Sequence, residues 1–135
     1  MPEELQRILY LEDIDEIAEI GMMALEDIGG FTVKRCATGK DAVAAFPEFK
    51  PQLCLFDVML PDISGLEALD AIRALPGGNE AAVVFMTAKA QAHEQEQYRQ
   101  NGVLDVILKP FEPMTLSDTV RAIWDEHRSK AAAGT

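Results

Sequence analysis

The chain has 135 residues, 48% hydrophobic and 26% charged, a size and balance that suit one globular domain around one core. Its formal net charge of -11 at pH 7 opposes nucleic acid and anionic lipid as partners, and no local basic patch is visible. No segment approaches the roughly 20 apolar residues of a membrane-spanning helix, and the start MPEELQRILYLED carries charge from residue 3 onward, unlike a secretory leader, so a cytoplasmic location without membrane insertion is expected.

In chain order, a first strand is predicted over residues 7–11 (RILYL). Ile14, Ile17, Ala18, Gly21, Leu25 and Ile28 then recur at helical spacing, and Gly29-Gly30 stops that helix. Residues 32–36 (TVKRC) alternate, as an edge strand does. A short second helix over residues 41–46 is closed by Pro47 and Pro51. Residues 52–56 (QLCLF) form a nearly all-apolar third strand. Ser64 then caps a third helix, with Glu67 placed for a capping box and Leu66, Leu69 and Ile72 on one face.

Pro76-Gly77-Gly78-Asn79 breaks the chain before a fourth strand at residues 82–86 (AVVFM). The fourth helix, residues 90–100, is polar nearly all round, and Tyr98 is almost its only large apolar residue. A helix with so narrow a core stripe is held weakly by packing, and it is expected either to be merely solvated or to move cheaply. The fifth strand covers residues 103–108. The fifth helix carries Leu116, Val120, Ile123 and Trp124 on one stripe, and residues 129–135 read as a short frayed tail after one domain over 1–128. Cys36 and Cys54 sit in apolar runs and read as core residues. His93 and His127 lie in helical segments with no partner motif.

Five strands alternating with five helices imply an α/β fold with right-handed crossovers and a parallel sheet covered on both faces. In such an open sheet, ligands bind beyond the carboxyl ends of the strands. Glu12-Asp13 follow strand one, Asp57 strand three, Thr87 strand four and Lys109-Pro110 strand five. Three carboxylates gathered on one rim repel one another unless a cation sits between them, and a hard divalent ion such as Mg²⁺ with oxygen ligands resolves the conflict. A carboxylate can serve as a nucleophile toward phosphorus. The metal and Lys109 would then supply positive charge, and Thr87 a hydrogen bond to a phosphoryl oxygen.

The segments ILYLEDID, LCLFDVMLPDISGLEAL, VVFMTAK and VILKPFEP resemble the signature blocks of the response-regulator receiver family, from about Arg7 to about His127. Asp57 followed by Met59-Leu60-Pro61-Asp62 and Gly65, and Lys109-Pro110-Phe111 after a fifth strand, are the most specific of these. The resemblance implies a flavodoxin-like, doubly wound (βα)5 domain with strand order 2-1-3-4-5. It implies Asp57 as phosphoacceptor, Thr87 as switch hydroxyl and Lys109 as the lysine pairing with phosphoryl oxygens. It also implies a metal site of Glu12, Asp13, Asp57 and the backbone carbonyl of Met59, filled by Mg²⁺ or alternatively Mn²⁺, and a cis Lys109–Pro110 peptide. The donor would be a sensor histidine kinase or a histidine phosphotransfer protein. A single-domain regulator of this kind catalyses only its own phosphorylation and dephosphorylation and acts through protein partners, not nucleic acid.

Two departures stand out. Val106 occupies the strand-five position where the family usually has an aromatic ring, so output by ring rotation is not expected. Met59 and Lys89, each two residues beyond a site residue, are expected to tune phosphate lifetime. Other readings are a phosphate-independent pseudo-receiver, which the complete rim set opposes and Val106 keeps open, and an aspartyl-phosphate phosphohydrolase. The latter usually carries a second Asp where this chain has Met59. A flavin protein would want a Ser/Thr/Gly-rich loop after strand one, and LEDIDE is its electrostatic opposite.

Overall fold

The computed structural model describes residues 4–60, 62–88 and 91–133. They form β1 (Arg7–Leu11), α1 (Asp15–Met22), β2 (Thr32–Cys36), α2 (Gly39–Phe49), β3 (Leu53–Asp57), α3 (Gly65–Arg73), β4 (Ala82–Thr87), α4 (Ala92–Gln100), β5 (Asp105–Leu108) and α5 (Leu116–Ala133). All strand pairs are parallel, and the order is β2-β1-β3-β4-β5, as the family resemblance implied.

The pleat sends alternate residues of the three central strands to opposite faces, which makes two core layers. Ile8, Tyr10, Leu55, Val84 and Met86 pack with Leu25, Leu116, Val120 and Trp124 on the α1/α5 side. Leu9, Leu11, Phe56, Val83 and Phe85 pack with Ala42, Phe46, Leu69, Ile72 and Tyr98 on the other. This explains why β1, β3 and β4 read as continuous apolar runs: they are covered on both faces. Both cysteines are buried in the second layer, where burial pushes the Cys54 thiol up to about 12 and raises that of Cys36.

Several elements differ from their sequence prediction. β3 and β4 each extend one residue further, so Asp57 and Thr87 end strands instead of following them. β5 starts at Asp105, two residues late, because the Val103 N–H turns back to the Tyr98 carbonyl at 3.1 Å and closes the end of α4. Pro47 does not end α2. The helix runs on to Phe49 and stops where Lys50 adopts a left-handed conformation, φ 52°. The extra turn is held from outside, since Arg7 donates to the Phe49 carbonyl from Nε (3.0 Å) and Nη2 (2.5 Å) and lies over the Phe49 ring. α5 continues through Ala133, so the tail expected from Ser129 is helical to that point.

The first helix passes into a π-helical turn at Met23–Ile28. α5 bonds to this turn at two carbonyls: Ser117 Oγ donates at 2.6 Å to that of Ala24, which also accepts the Gly29 N–H at 3.2 Å, and Arg121 Nη2 donates to that of Gly29 at 2.9 Å. Of the predicted stripe, Ala18, Gly21 and Leu25 are buried, Ile17 is half-buried, and Ile14 and Ile28 are exposed, as is Ile20 beside them. The Ser64–Glu67 capping box forms as expected, with N–H to oxygen distances of 3.1 and 3.2 Å. Within α4 the only buried residue is Tyr98, which packs edge-on against Phe85 at 5.0 Å between ring centroids.

Gly21 faces the Tyr10 ring so closely that an added Cβ would lie 2.3 Å from its hydroxyl oxygen. That hydroxyl is buried with no hydrogen-bond partner among the described residues. Gly21→Ala is expected to destabilise the domain by about 1–3 kcal/mol through overpacking. Tyr10→Phe should cost little, and it should recover part of the loss in the double variant. Urea melts of the four proteins check this cycle.

Candidate functional site

The parallel sheet brings every strand's carboxyl end to one rim. Glu12 and Asp13 leave β1 with their backbone still tied to the edge strand, since the Glu12 N–H donates to the Cys36 carbonyl at 3.0 Å. Asp57 is the last residue of β3, held in register with Met86 of β4. Beyond it the chain turns at once: Gly65 donates to the Val58 carbonyl at 2.8 Å, and a Cβ on Gly65 would lie 2.9 Å from the Asp57 carbonyl oxygen. Thr87 ends β4 and is buried. Its carbonyl accepts from the Lys109 N–H at 2.9 Å. The Lys109–Pro110 peptide is cis.

Lys109 joins the pieces. Its Nζ donates to Glu12 Oε1 at 2.6 Å and to Asp57 Oδ2 at 2.8 Å. Asp57 Oδ1 accepts the Met59 backbone N–H at 3.1 Å, and Glu12 Oε2 accepts that of Ile14 at 3.2 Å. Glu12 is 1% exposed. Burial raises its carboxyl above the usual carboxylate range, and the bond from Lys109 offsets this only in part. Burial also works against the Lys109 ammonium, but its hydrogen bonds to Asp57 and Glu12 outweigh that and raise it. Lys109 is therefore firmly charged, and Glu12 carries the electrostatic tension of the pair.

One carboxylate oxygen from each of Glu12, Asp13 and Asp57 lies within 4.8 Å of the others. Asp13 Oδ1 is buried with no hydrogen-bond partner among the described residues. Three carboxylates against one ammonium leave two negative charges in excess when all are ionised. Oxygens that share a Mg²⁺ at about 2.1 Å sit roughly 3–4 Å apart, so the cluster and its orphaned acceptor fit a hard divalent cation. A cavity of about 570 Å³ opens beside this pit. Its floor includes Asp57, Thr87 and Lys109, and its wall is apolar, from Ile14 and the α1 residues Ile17 and Ile20 to Phe111 and Pro113.

All the residues singled out in the sequence for this rim thus come together, except that Lys89 and Pro61 lie outside the described residues. Met59 is 76% exposed at the edge of the cavity, and its backbone N–H is bonded to Asp57 Oδ1. Two residues have supporting roles that the sequence reading did not assign, although Asp62 stood in the motif after Asp57. Arg35 donates to the Glu12 carbonyl, and Asp62 accepts from the amides of Gly39 and Lys40. Their partners are more than 20 residues away, and the only hint was a bulky cation in an otherwise alternating edge strand.

A doubly wound sheet of order 2-1-3-4-5 with an acidic pocket at its carboxyl rim defines a flavodoxin-like α/β domain whose three clustered carboxylates could hold a divalent cation. The chain matches the model of the response regulator receiver domain over residues 8–121 and belongs to that family, the receiver domains of two-component systems. It is 33% identical to the DNA-binding response regulator MtrA of Mycolicibacterium smegmatis over 117 residues, 87% of this chain and 50% of that protein. It is 30% identical to the transcriptional regulatory protein PcoR of Escherichia coli, over 95% of this chain and 55% of that one. The chain spans about half the length of these curated relatives. The crystal structure of the signal receiver domain of a LuxO repressor protein from Vibrio parahaemolyticus superposes with a TM-score of 0.82 at 25% identity, covering 97% of this chain and 98% of that one. Receiver domains are signalling domains that bind a divalent metal in an acidic pocket, and among the described residues no helix is long and apolar enough to cross a membrane.

Two outcomes follow from the charge balance. Mg²⁺ at ten times its dissociation constant should stabilise the fold by about 1.4 kcal/mol, seen as a raised melting temperature that Asp13→Asn abolishes. Lys109→Met, measured without metal, should cost about 3–5 kcal/mol because two buried carboxylates lose their cation. Glu12 already has a raised carboxyl, and removing Lys109 raises it further, so stability present at low pH is lost as pH rises. The variant's deficit should therefore be larger at pH 8 than at pH 5, and equal deficits at both would contradict this balance.

Proposed function

We propose that the protein is the phosphoryl-accepting switch of a two-component or phosphorelay pathway, with Asp57 as acceptor and the phosphohistidine of a sensor kinase or histidine phosphotransfer protein as donor. The observation that carries this reading is the Lys109 ammonium, seated between Asp57 Oδ2 and Glu12 Oε1 beside the orphaned Asp13 oxygen. An ammonium at that place is ready to pair with oxygens added to Asp57.

In the proposed transfer an Asp57 oxygen attacks phosphorus. A P–O bond forms, the P–N bond to the donor imidazole breaks, and the imidazole leaves with that electron pair and takes up a proton. Asp13, Asp57 and the Met59 carbonyl, with Glu12 beside them, would hold Mg²⁺, or Mn²⁺ in its place. When bound, the ion supplies neutralising charge to the phosphoryl oxygens. Lys109 pairs with a second phosphoryl oxygen, and the Thr87 hydroxyl, at the end of the adjacent strand, donates to a third. The apolar wall of Ile14, Ile17, Ile20, Phe111 and Pro113 suits a donor that docks through an apolar surface and presents its imidazole to the floor.

The phosphorylated and unmodified states then bind protein partners differently, or the phosphoryl group passes onward. A net charge of -11 favours protein partners over nucleic acid. Val106 has no ring to rotate, so we assign the output to a shift of α4, which Tyr98 alone anchors in the core. A phosphohydrolase reading is disfavoured by Met59, whose thioether can neither give nor take the proton that a second Asp would.

The test is intact mass after incubation with a small phosphodonor and Mg²⁺, for wild type and Asp57→Asn. One phosphate on wild type, lost with EDTA and absent from the variant, is expected. No adduct with any of several donors, together with failure to bind beryllofluoride, would instead establish a phosphate-independent pseudo-receiver.

A further inference from the structure

We propose that the β2–α2 connection braces both loops of the acidic pit, with Arg35 and Asp62 as positioning residues that set its affinity for divalent metal. The inference rests on the metal-binding reading above, and it concerns residues that reach neither the metal nor the phosphoryl group.

Arg35 lies on the edge strand. Its Nε and Nη2 donate to the Glu12 carbonyl oxygen at 3.0 and 2.7 Å, and Nη2 also reaches Asp15 Oδ1 at 3.0 Å. That carbonyl belongs to the peptide joining Glu12 to Asp13, so a planar two-point fork fixes the orientation of the unit that carries both carboxylates. The Glu12 N–H is tied to the Cys36 carbonyl on the same strand. β2 therefore holds the acidic pair from both sides of one residue.

Asp62 performs the matching task for the other loop. It lies three residues beyond Met59, and its Oδ1 and Oδ2 accept the N–H groups of Gly39 and Lys40 at 3.0 and 2.9 Å. These amides open α2, where the helix dipole also favours a carboxylate. Ile63 presses on the same point, since a Cβ on Gly39 would lie 2.4 Å from Ile63 Cγ1. Desolvation opposes the charged form of Asp62, but the amides of Lys40, Gly39 and Ile63 and its own outweigh it and hold the carboxyl down at about 2. The clamp is thus ionised throughout the neutral range. Residues 35 to 40 hold the β1–α1 loop at one end and the β3–α3 loop at the other; Glu12, Asp13 and Met59 lie on those two loops, and Asp57 ends the strand that leads into the second.

Charge alone predicts the opposite result for Arg35. Removing a cation beside an acidic pit should tighten metal binding, whereas removing a brace should loosen it. The experiment is Mn²⁺ binding to the full chain, read as free Mn²⁺ by electron paramagnetic resonance, for wild type, Arg35→Ala, Arg35→Lys, Asp62→Ala and Asp62→Asn, with circular dichroism to confirm folding. Ligand-orienting neighbours of metal sites change affinity by about tenfold when removed, so Arg35→Ala and Asp62→Ala should each bind about tenfold more weakly. Arg35→Lys, which keeps the charge and loses the fork, should also weaken binding, and it carries the test if Arg35→Ala does not fold. Asp62→Asn keeps one acceptor oxygen and should fall between wild type and Asp62→Ala. Unchanged or tighter binding by the Arg35 variants overturns the brace while leaving the metal site intact. A wild type that binds no Mn²⁺ overturns both.

Discussion

Everything at the rim depends on one ammonium. Lys109 Nζ holds Glu12, 97 residues earlier in the chain, and Asp57, 52 residues earlier. Both acids are buried, and a carboxylate moved out of water without a partner cannot stay charged at acceptable cost. The lysine is what lets two anions share a low-dielectric site. Its own position follows from β5 pairing beside β4, where the Lys109 N–H meets the Thr87 carbonyl. The folding of the last strand and the electrostatics of the first and third loops are therefore one problem.

The balance is deliberately incomplete. One ammonium does not neutralise three carboxylates, and Asp13 keeps a buried oxygen without a partner among the described residues. A site with satisfied charges would gain little from a cation, so the residual negative charge and the orphaned acceptor are what favour a divalent ion in the pit. The rest of the fold is correspondingly firm. Asp57 and Thr87 end strands buried on both faces, and the chain leaves Asp57 through a turn that only a residue without a side chain, Gly65, can complete.

Much of this was legible because it is local or periodic. The apolar runs of β1, β3 and β4 report burial on both faces, and Ser64 with Glu67 marks a helix start through bonds three residues apart. What was illegible depends on partners distant in sequence. Pro47 looks like a helix end, yet α2 continues because Arg7 captures the Phe49 carbonyl. The π-helical turn after Met22 is bonded by Ser117 and Arg121 of α5, and the stripe counted at helical spacing leaves Ile14 exposed, at 47%, where it joins Ile20 in the cavity wall. The bonds of Arg35 to the Glu12 carbonyl and of Asp62 to the amides of Gly39 and Lys40 were illegible for the same reason.

By itself, then, the sequence determined the alternation of strands and helices, the parallel sheet, and the set of acids, hydroxyl and lysine at the strand ends. Periodicity and turn chemistry act over a few residues and need no knowledge of the whole. Only the tertiary structure decided which oxygen meets which nitrogen, that Lys109 is shared, that Asp13 is left over, and that an edge strand holds the acidic pair in place. Those outcomes depend on distances between segments dozens of residues apart, which are set when the two core layers pack against the sheet and not before.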